Sequence, residues 1–402
     1  MFSLEKFYHI LNSNLVSNFS NSRSMYFYPF GTFDTRMFLE NGVAMQPEFV
    51  NFNRSFFHCY FFDQEPYYDT NLEIFQKALT YTQYQWRPEK INILANSEKS
   101  QVKDIFLEQN NMYDWYYFYH GFAALDWYRD FQYVKQSSFD RFTNVFICYN
   151  HLISKYRSYR LHLGSNLIEH DLVKHGQVSL FLSDKLGTWQ DAIQDPHSCL
   201  DARAKVKIYK TLRNVTTPLT IDTEHPTGAL SAEIDLEDLT NSLWHIVTET
   251  VYFLPKLHLT EKVFKPIIAQ RPFILVAAPG NLAYLKSYGF QTFDRWIDES
   301  YDLETDNYVR IEKITQEIAR LCAMPRNQLE HMHHDMQEVL KFNYDHFYGK
   351  FKHIIVDELV DNFAGILSQI NNGREPNNHS RYHARFDLDC AVLNEVKQRL
   401  VK

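Results

Sequence analysis

Residues Val247 to Phe293 read VTETVYFLPKLHLTEKVFKPIIAQRPFILVAAPGNLAYLKSYGFQTF. Two acidic turns, Thr248-Glu249-Thr250 and Thr260-Glu261-Lys262, precede an apolar run from Pro272 to Ala277 that Pro279-Gly280 interrupts. Thr260 has the side chain of a helix N-cap, and a helix starting there aims free backbone N–H groups and Lys262 at one point. Such a point suits an anion, for instance a diphosphate. Glu249 and Glu261 fall beside it, and carboxylates do not ligand phosphates; they take sugar or ribose hydroxyls through charge-assisted hydrogen bonds. A phosphate pole next to a hydroxyl pole outlines a nucleotide-sugar pocket. The plainer alternative is that Thr260 and Glu261 only cap a helix and Lys262 is a solvated charge.

Working outward, the first 140 residues alternate strand-like and helix-like patterns. Phe56 to Phe62 is a short apolar run ending in Asp63-Gln64-Glu65-Pro66, as a buried parallel strand delivering polar residues to its carboxyl end does. Ile91 to Ala95 repeats the pattern before a helical stretch to about Gln109, and Trp115 to Tyr119 ends at His120-Gly121. The grammar restarts at Asn144 to Tyr149, followed by Asn150 to Arg160 and a Leu-rich helix closing near Gly176. This is an α/β chain with doubly wound parallel sheets, whose ligands bind at the carboxyl ends of strands. Residues 126 to 143 read as the interdomain connection. Pro218 to Ser231 reads as a loop ahead of a helix carrying Ile246 and Val247, and the chain beyond Ile311 as largely helical. Arg157 and Arg160 lie on one face of a turn at a strand end, where guanidinium groups fork onto phosphate oxygens or stay solvated.

The stretch around Thr260-Glu261-Lys262 resembles the donor-binding half of the fucosyltransferase-like enzymes of the GT-B fold, with their acidic-polar turn and T-E-K before a helix. It is similar also to glycosyltransferase-like proteins of tailed phages, which carry T-E-K-x-F-K-P-I, then R-P-F-I-L-V and P-G. The matched positions are Glu249, Thr260, Glu261, Lys262, Lys265 and Pro266, and the strand, Asn150 and the arginine turn with Arg157 and Arg160 match as well. Glu249-Thr250 stands where the fucosyltransferases have Glu-Asn-Ser, so GDP-fucose does not follow. The resemblance implies two Rossmann-like domains facing a cleft, an acceptor domain at 1–140 and a donor domain at 141–335, with a helical segment at 336–402 packing back. It implies a nucleotide-sugar donor held by Asn150, Arg157, Arg160, Glu249, Thr250, Thr260, Glu261 and Lys262. In the acceptor domain it matches Glu65 to a general base acting on the acceptor hydroxyl, with Asp63 as the alternate and His120 orienting the acceptor. Either carboxylate otherwise caps the next helix, and His120 otherwise serves the core. The expected activity is an inverting, metal-independent glycosyl transfer. The acceptor is a glycan or, given the phage proteins, a modified base of phage DNA; an inactive carbohydrate-binding or structural protein of the same fold is the non-enzymatic alternative.

Composition bounds these readings. The 402 residues suit two ordinary domains, and 32 Phe and 26 Tyr exceed what a minimal core needs, leaving surface for sugars or bases to stack on. A net charge of −8 gives no overall basic field, so a DNA acceptor requires a locally concentrated basic groove. Five widely spaced cysteines with no C-x-x-C pair fit a reduced, cytoplasmic protein, which is the host cytoplasm for a phage protein. The first residues show no apolar signal-like core, and no run of about 18 apolar residues occurs, so neither a signal peptide nor a spanning helix is expected. The N-x-S/T triplets at Asn18, Asn53, Asn214 and Asn378 are then chance matches. His331, His333, His334 and Asp335 cluster without the spacing of a metal motif, and Asp387-Leu388-Asp389 lacks a preceding strand, so no metal or cofactor is expected. Phosphate-loop and serine-elbow motifs are missing from the sequence.

Overall fold

The structure, a computed structural model, describes residues 3–16, 22–26, 57–69, 72–73, 75–76, 91–134, 142–219, 232, 234–372 and 390–401. The chain forms two compact units, residues 1–126 with 352–402, and residues 127–351. Both are mixed α/β with parallel sheets. Among the described residues, no helix is long and apolar enough to cross a membrane. Part of the expected connection (135–141), most of the Pro218–Ser231 loop, Asp387-Leu388-Asp389, and the triplets at Asn18, Asn53 and Asn378 lie outside the described residues.

In the first unit, β1 (Ser22–Tyr26), β2 (Phe57–Phe61), β3 (Ile91–Asn96) and β4 (Tyr113–Tyr116) pair in sequence order, each parallel to the next. Every residue of β2 and β3 is buried, which is why both are mostly apolar and do not alternate; the polar His58 and Asn92 within them lie 3.1 Å apart and pair with each other. Helix Gln101–Gln109 starts at Ser100, whose hydroxyl accepts the Lys103 N–H at 3.2 Å. The run ending at His120 divides differently from the sequence expectation. Its strand stops at Tyr116, and His120 sits in the first turn of helix Tyr119–Trp127. Helix Lys352–Asn372 buries Ile355, Leu359, Phe363, Ile366 and Ile370 along one stripe. Trp115, fully buried in β4, clamps that stripe: its indole N–H donates to the Leu359 carbonyl at 3.0 Å and its ring lies 4.5 Å from Phe363.

In the second unit, β5 (Asn144–Cys148), β6 (Gly176–Val178), β9 (Ser242–Thr248) and β10 (Phe273–Val276) form an all-parallel sheet in the order β10-β9-β5-β6; β7 (Ser183–Asp184) and β8 (Gly187–Thr188) make a small antiparallel hairpin. Two expectations change here. Ile246 and Val247 lie in strand β9, not in a helix; the helix is the short Leu236–Asn241 just before it. All seven β9 residues, SLWHIVT, are buried between β5 and β10, polar Ser242, His245 and Thr248 included, so no alternation of polar and apolar residues marks the strand. Gly176 opens β6, and the Leu-rich helix, Tyr159–Glu169, ends earlier, before Asp171 at φ 55°. Gly164 of that helix packs so tightly on the core that an added Cβ would lie 2.5 Å from Leu180 Cδ2.

Replacing Trp115 with Ala removes both the ring contact and the N–H donor that bind helix Lys352–Asn372 to β4. Chemical denaturation is expected to show a loss of about 3–5 kcal/mol for Trp115→Ala and a clearly smaller one for Trp115→Phe.

Candidate functional site

The strand order places one topological switch point among the described strands of the second unit. After β5 the chain crosses to β6 on one side; after β9 it crosses to β10 on the other. The crevice at the carboxyl ends of β5 and β9 is therefore bounded by the two segments singled out in the sequence, Asn150–Arg160 and Glu249–Lys262. Arg160 stitches them together. It is 5% exposed, and its guanidinium donates to the Leu152 carbonyl and to the Thr248 carbonyl, each at 3.0 Å. The Tyr159 hydroxyl adds a bond to the Glu249 carbonyl at 2.5 Å. Asn150 is fully buried, its amide N–H on Cys148 Sγ at 3.2 Å and its Oδ1 without a hydrogen-bond partner among the described residues. Burial pushes the Cys148 thiol up to about 12, against the smaller opposite effects of Asn150 and Arg160.

Glu249, fully buried, is spent on its own loop. Its carboxylate accepts the Thr260 hydroxyl at 2.5 Å, the Thr260 N–H at 3.2 Å and the Thr250 N–H at 3.2 Å. Thr260 stands at the N-cap position in extended conformation, yet its hydroxyl goes to Glu249 and caps nothing. After Thr260 the chain makes a 3-10 turn, Glu261–Val263, and a five-residue helix, Phe264–Ile268, too short for the N-terminal dipole expected from the sequence. Lys262 is half-buried: its ammonium lies 3.1 Å from the Thr260 hydroxyl, 3.1 Å from Glu261 and 3.4 Å from the Thr250 hydroxyl, with a third of the side chain in solvent. Glu261 itself is buried. Arg157 is half-buried in the turn Lys155–Arg157, and its guanidinium has no hydrogen bond or ion pair among the described residues.

The first unit gathers the three acceptor-side candidates around one turn, Asp63 and Glu65 on it and His120 on helix Tyr119–Trp127 beside it. Asp63 is 2% exposed just past β2 and accepts the hydroxyls of Tyr8 at 2.8 Å and Tyr117 at 2.5 Å. Burial raises its carboxyl to about 6, a rise that the two tyrosine hydrogen bonds and the nearby His120 moderate. His120 Nε2 lies 3.0 Å from the Gln64 carbonyl, so it holds the same turn from the other element. Glu65 is half-buried and makes no hydrogen bond or ion pair among the described residues. A buried acid that sequence reasoning passed over is Glu98, after β3, which accepts the Tyr67 N–H at 2.9 Å and the Ser100 hydroxyl. Its position at a strand end, inside Asn96-Ser97-Glu98-Lys99-Ser100, was the available signal.

The histidine cluster on helix Arg326–Asp335 does not converge. His333 is buried against Arg271 at 3.2 Å, while His331 is exposed and pairs with Asp335 at 3.5 Å. Compared with protein-family models, curated proteins and solved structures, the chain matches none.

A carboxyl raised in the folded state binds its proton more tightly there, so its contribution to stability is complete at low pH and is lost as pH rises from about 4 to about 6. Asp63→Asn keeps an acceptor for the tyrosine hydroxyls and removes the titration. Unfolding free energies measured from pH 4 to 7 should fall by about 2 kcal/mol more in the parent than in Asp63→Asn.

Proposed function

We propose that the protein is a glycosyltransferase of the GT-B class that moves a sugar from a nucleotide-sugar donor to an acceptor hydroxyl. The observation that carries this reading is the switch point between β5 and β9, where segments about a hundred residues apart in sequence bring Arg157 and Lys262 to the strand ends at which doubly wound sheets bind ligands. These two cations take the diphosphate. Arg160 and Glu249, already engaged with carbonyls and with the Thr260 turn, position them and do not contact the donor. Glu65 is the acceptor base, because it is the carboxylate on its turn with an uncommitted side chain, while Asp63 and His120 hold that turn in place.

In the reaction, the acceptor oxygen gives its proton to Glu65 and bonds to the anomeric carbon as the bond from that carbon to the diphosphate breaks. The charge that develops on the leaving diphosphate is met by Arg157 and Lys262. A single displacement of this kind inverts the anomeric centre. The acceptor is a glycan or a modified base of phage DNA. A second reading, a carbohydrate-binding protein without turnover, draws on the internal engagement of Arg160 and Glu249.

UDP- or GDP-linked sugars are expected to raise the melting temperature without added divalent metal, and loss of that shift in EDTA would contradict the metal-free assignment. Lys262→Ala and Arg157→Ala should each weaken nucleoside diphosphate binding by about 1–3 kcal/mol in calorimetric titration. Glu65→Gln is expected to keep donor affinity and lower turnover by about 10²–10⁴-fold. Near-parental turnover in that variant removes Glu65 from the mechanism, and donor binding with no transfer to any hydroxyl or water favours the second reading.

A further inference from the structure

The second unit holds a pocket of about 260 Å³ that none of the sequence-derived candidates lines. First turns of three helices meet at it: Tyr159 and His162 from Tyr159–Glu169, Arg203 from Ala202–Leu212, and Tyr308 from Asn307–Ala323. Asp201 and Asp306, also in the lining, cap the second and third of these helices. Arg203 stands between the two acids, donating from Nε to Asp201 Oδ2 at 2.7 Å and from Nη2 to the Asp306 oxygens at 2.8 and 2.7 Å.

The aromatic lining is already engaged. Tyr308 stacks on His162 at 4.8 Å and carries the Arg203 guanidinium 4.7 Å from its centroid. Tyr252 stacks on Tyr159 at 4.3 Å and carries Arg310 at 4.1 Å. Among the described residues, Asp201 Oδ1 takes only the Ala204 N–H and Asp306 Oδ2 only Arg203, so each acid retains acceptor capacity. Arg203 Nη1 and the hydroxyls of Thr305 and Tyr308 have no hydrogen-bond partner among the described residues.

Two carboxylates and one guanidinium leave a net negative charge, which repels an anion, and Arg203 stands in the way of a cation. Sites that alternate donor and acceptor at short spacing suit hydroxyls, each of which does both. The pocket also adjoins the anion pole. Tyr159, two residues past Arg157, is in the lining, and so is Cys199, next to Ser198, whose carbonyl accepts the Ser158 hydroxyl at 2.5 Å.

We propose that this pocket binds a vicinal diol of the ligand, a ribose or a hexose ring, through Asp201, Arg203 and Asp306. The assignment rests on the donor reading for its link to the diphosphate, and it moves the hydroxyl pole away from Glu249, whose oxygens are taken by Thr250 and Thr260.

Cys199 reports on the pocket directly, since it lines it and is exposed, while Cys59 and Cys148 are buried. The experiment measures iodoacetamide labelling of Cys199 by peptide mass spectrometry in the full chain, with UDP, GDP, their 2′,3′-dideoxy counterparts, or the methyl glycosides of glucose and fucose as probes. If the diol is ribose, UDP or GDP slows labelling by about fivefold or more near saturation and the dideoxy compounds do not; if it is the sugar ring, a methyl glycoside slows it. Asp201→Asn and Asp306→Asn keep good capping side chains, so the helices persist, yet protection should fall below about twofold. Equal protection by ribose and dideoxy compounds without protection by a glycoside, or unchanged protection in both Asn variants, overturns the assignment. Lys262-dependent nucleotide binding with no protection by any probe overturns it while sparing the donor reading. Protection by a glycoside with no nucleotide binding keeps the diol pocket and sinks the donor reading.

Discussion

The second unit depends on a buried guanidinium at the ends of two adjacent strands. Removing a cation from water costs least when its donors are met; Arg160 gives Nη1 and Nη2 to the carbonyls of Leu152 and Thr248, while its Nε is buried with no hydrogen-bond partner among the described residues. Leu152 belongs to the segment after β5, and Thr248 is the last residue of β9. One side chain thus sets the separation of two loops that share no sequence neighbourhood. Arg157 lies one turn before it, Tyr159 beside it reaches the Glu249 carbonyl, and Glu249 in turn fixes Thr260 and so Lys262.

The two units use buried acids in the same manner by different chemistry. Past β2, Asp63 accepts the hydroxyls of Tyr8 and Tyr117 with His120 nearby, and burial lifts its carboxyl to about 6. Past β9, Glu249 draws two backbone N–H groups and a hydroxyl from its own loop. In both, the buried acid shapes a turn, and a nearby side chain with access to solvent, Glu65 or Lys262, is left for a ligand. Asp201 and Asp306 differ again: they are helix caps at the surface, bridged by Arg203, and bridging holds the Asp306 carboxyl below the usual carboxylate range.

Strands buried on both faces were the legible part of the fold. Phe57–Phe61, Ile91–Asn96 and Asn144–Cys148 are short apolar runs ending in polar turns, and each is a parallel strand within a residue or so of its expected limits. Strand β9 misled because seven buried residues in a row carry no period, and the capped acidic helix in front of it, Leu236–Asn241, supplied a helical signal one step too early. His120 misled for a related reason. Its aromatic neighbours continue unbroken from β4 into helix Tyr119–Trp127, so composition does not mark where the strand ends.

By itself the sequence determined the α/β class and the strand-end turns that hold Asp63, Glu65, Arg157, Glu249 and Lys262, because burial on two faces and polar strand ends leave a local imprint in residue order. Which of those residues are free for a ligand was decided only by tertiary structure. Thr260 has an N-cap side chain, and nothing local says that Glu249, eleven residues earlier, takes its hydroxyl. Arg157 and Arg160 are equivalent in sequence, and it is the pairing of β5 with β9 that occupies one with carbonyls and leaves the other open. The Asp201–Arg203–Asp306 bridge joins helices a hundred residues apart, and such a contact exists only once the sheet has set those helices side by side.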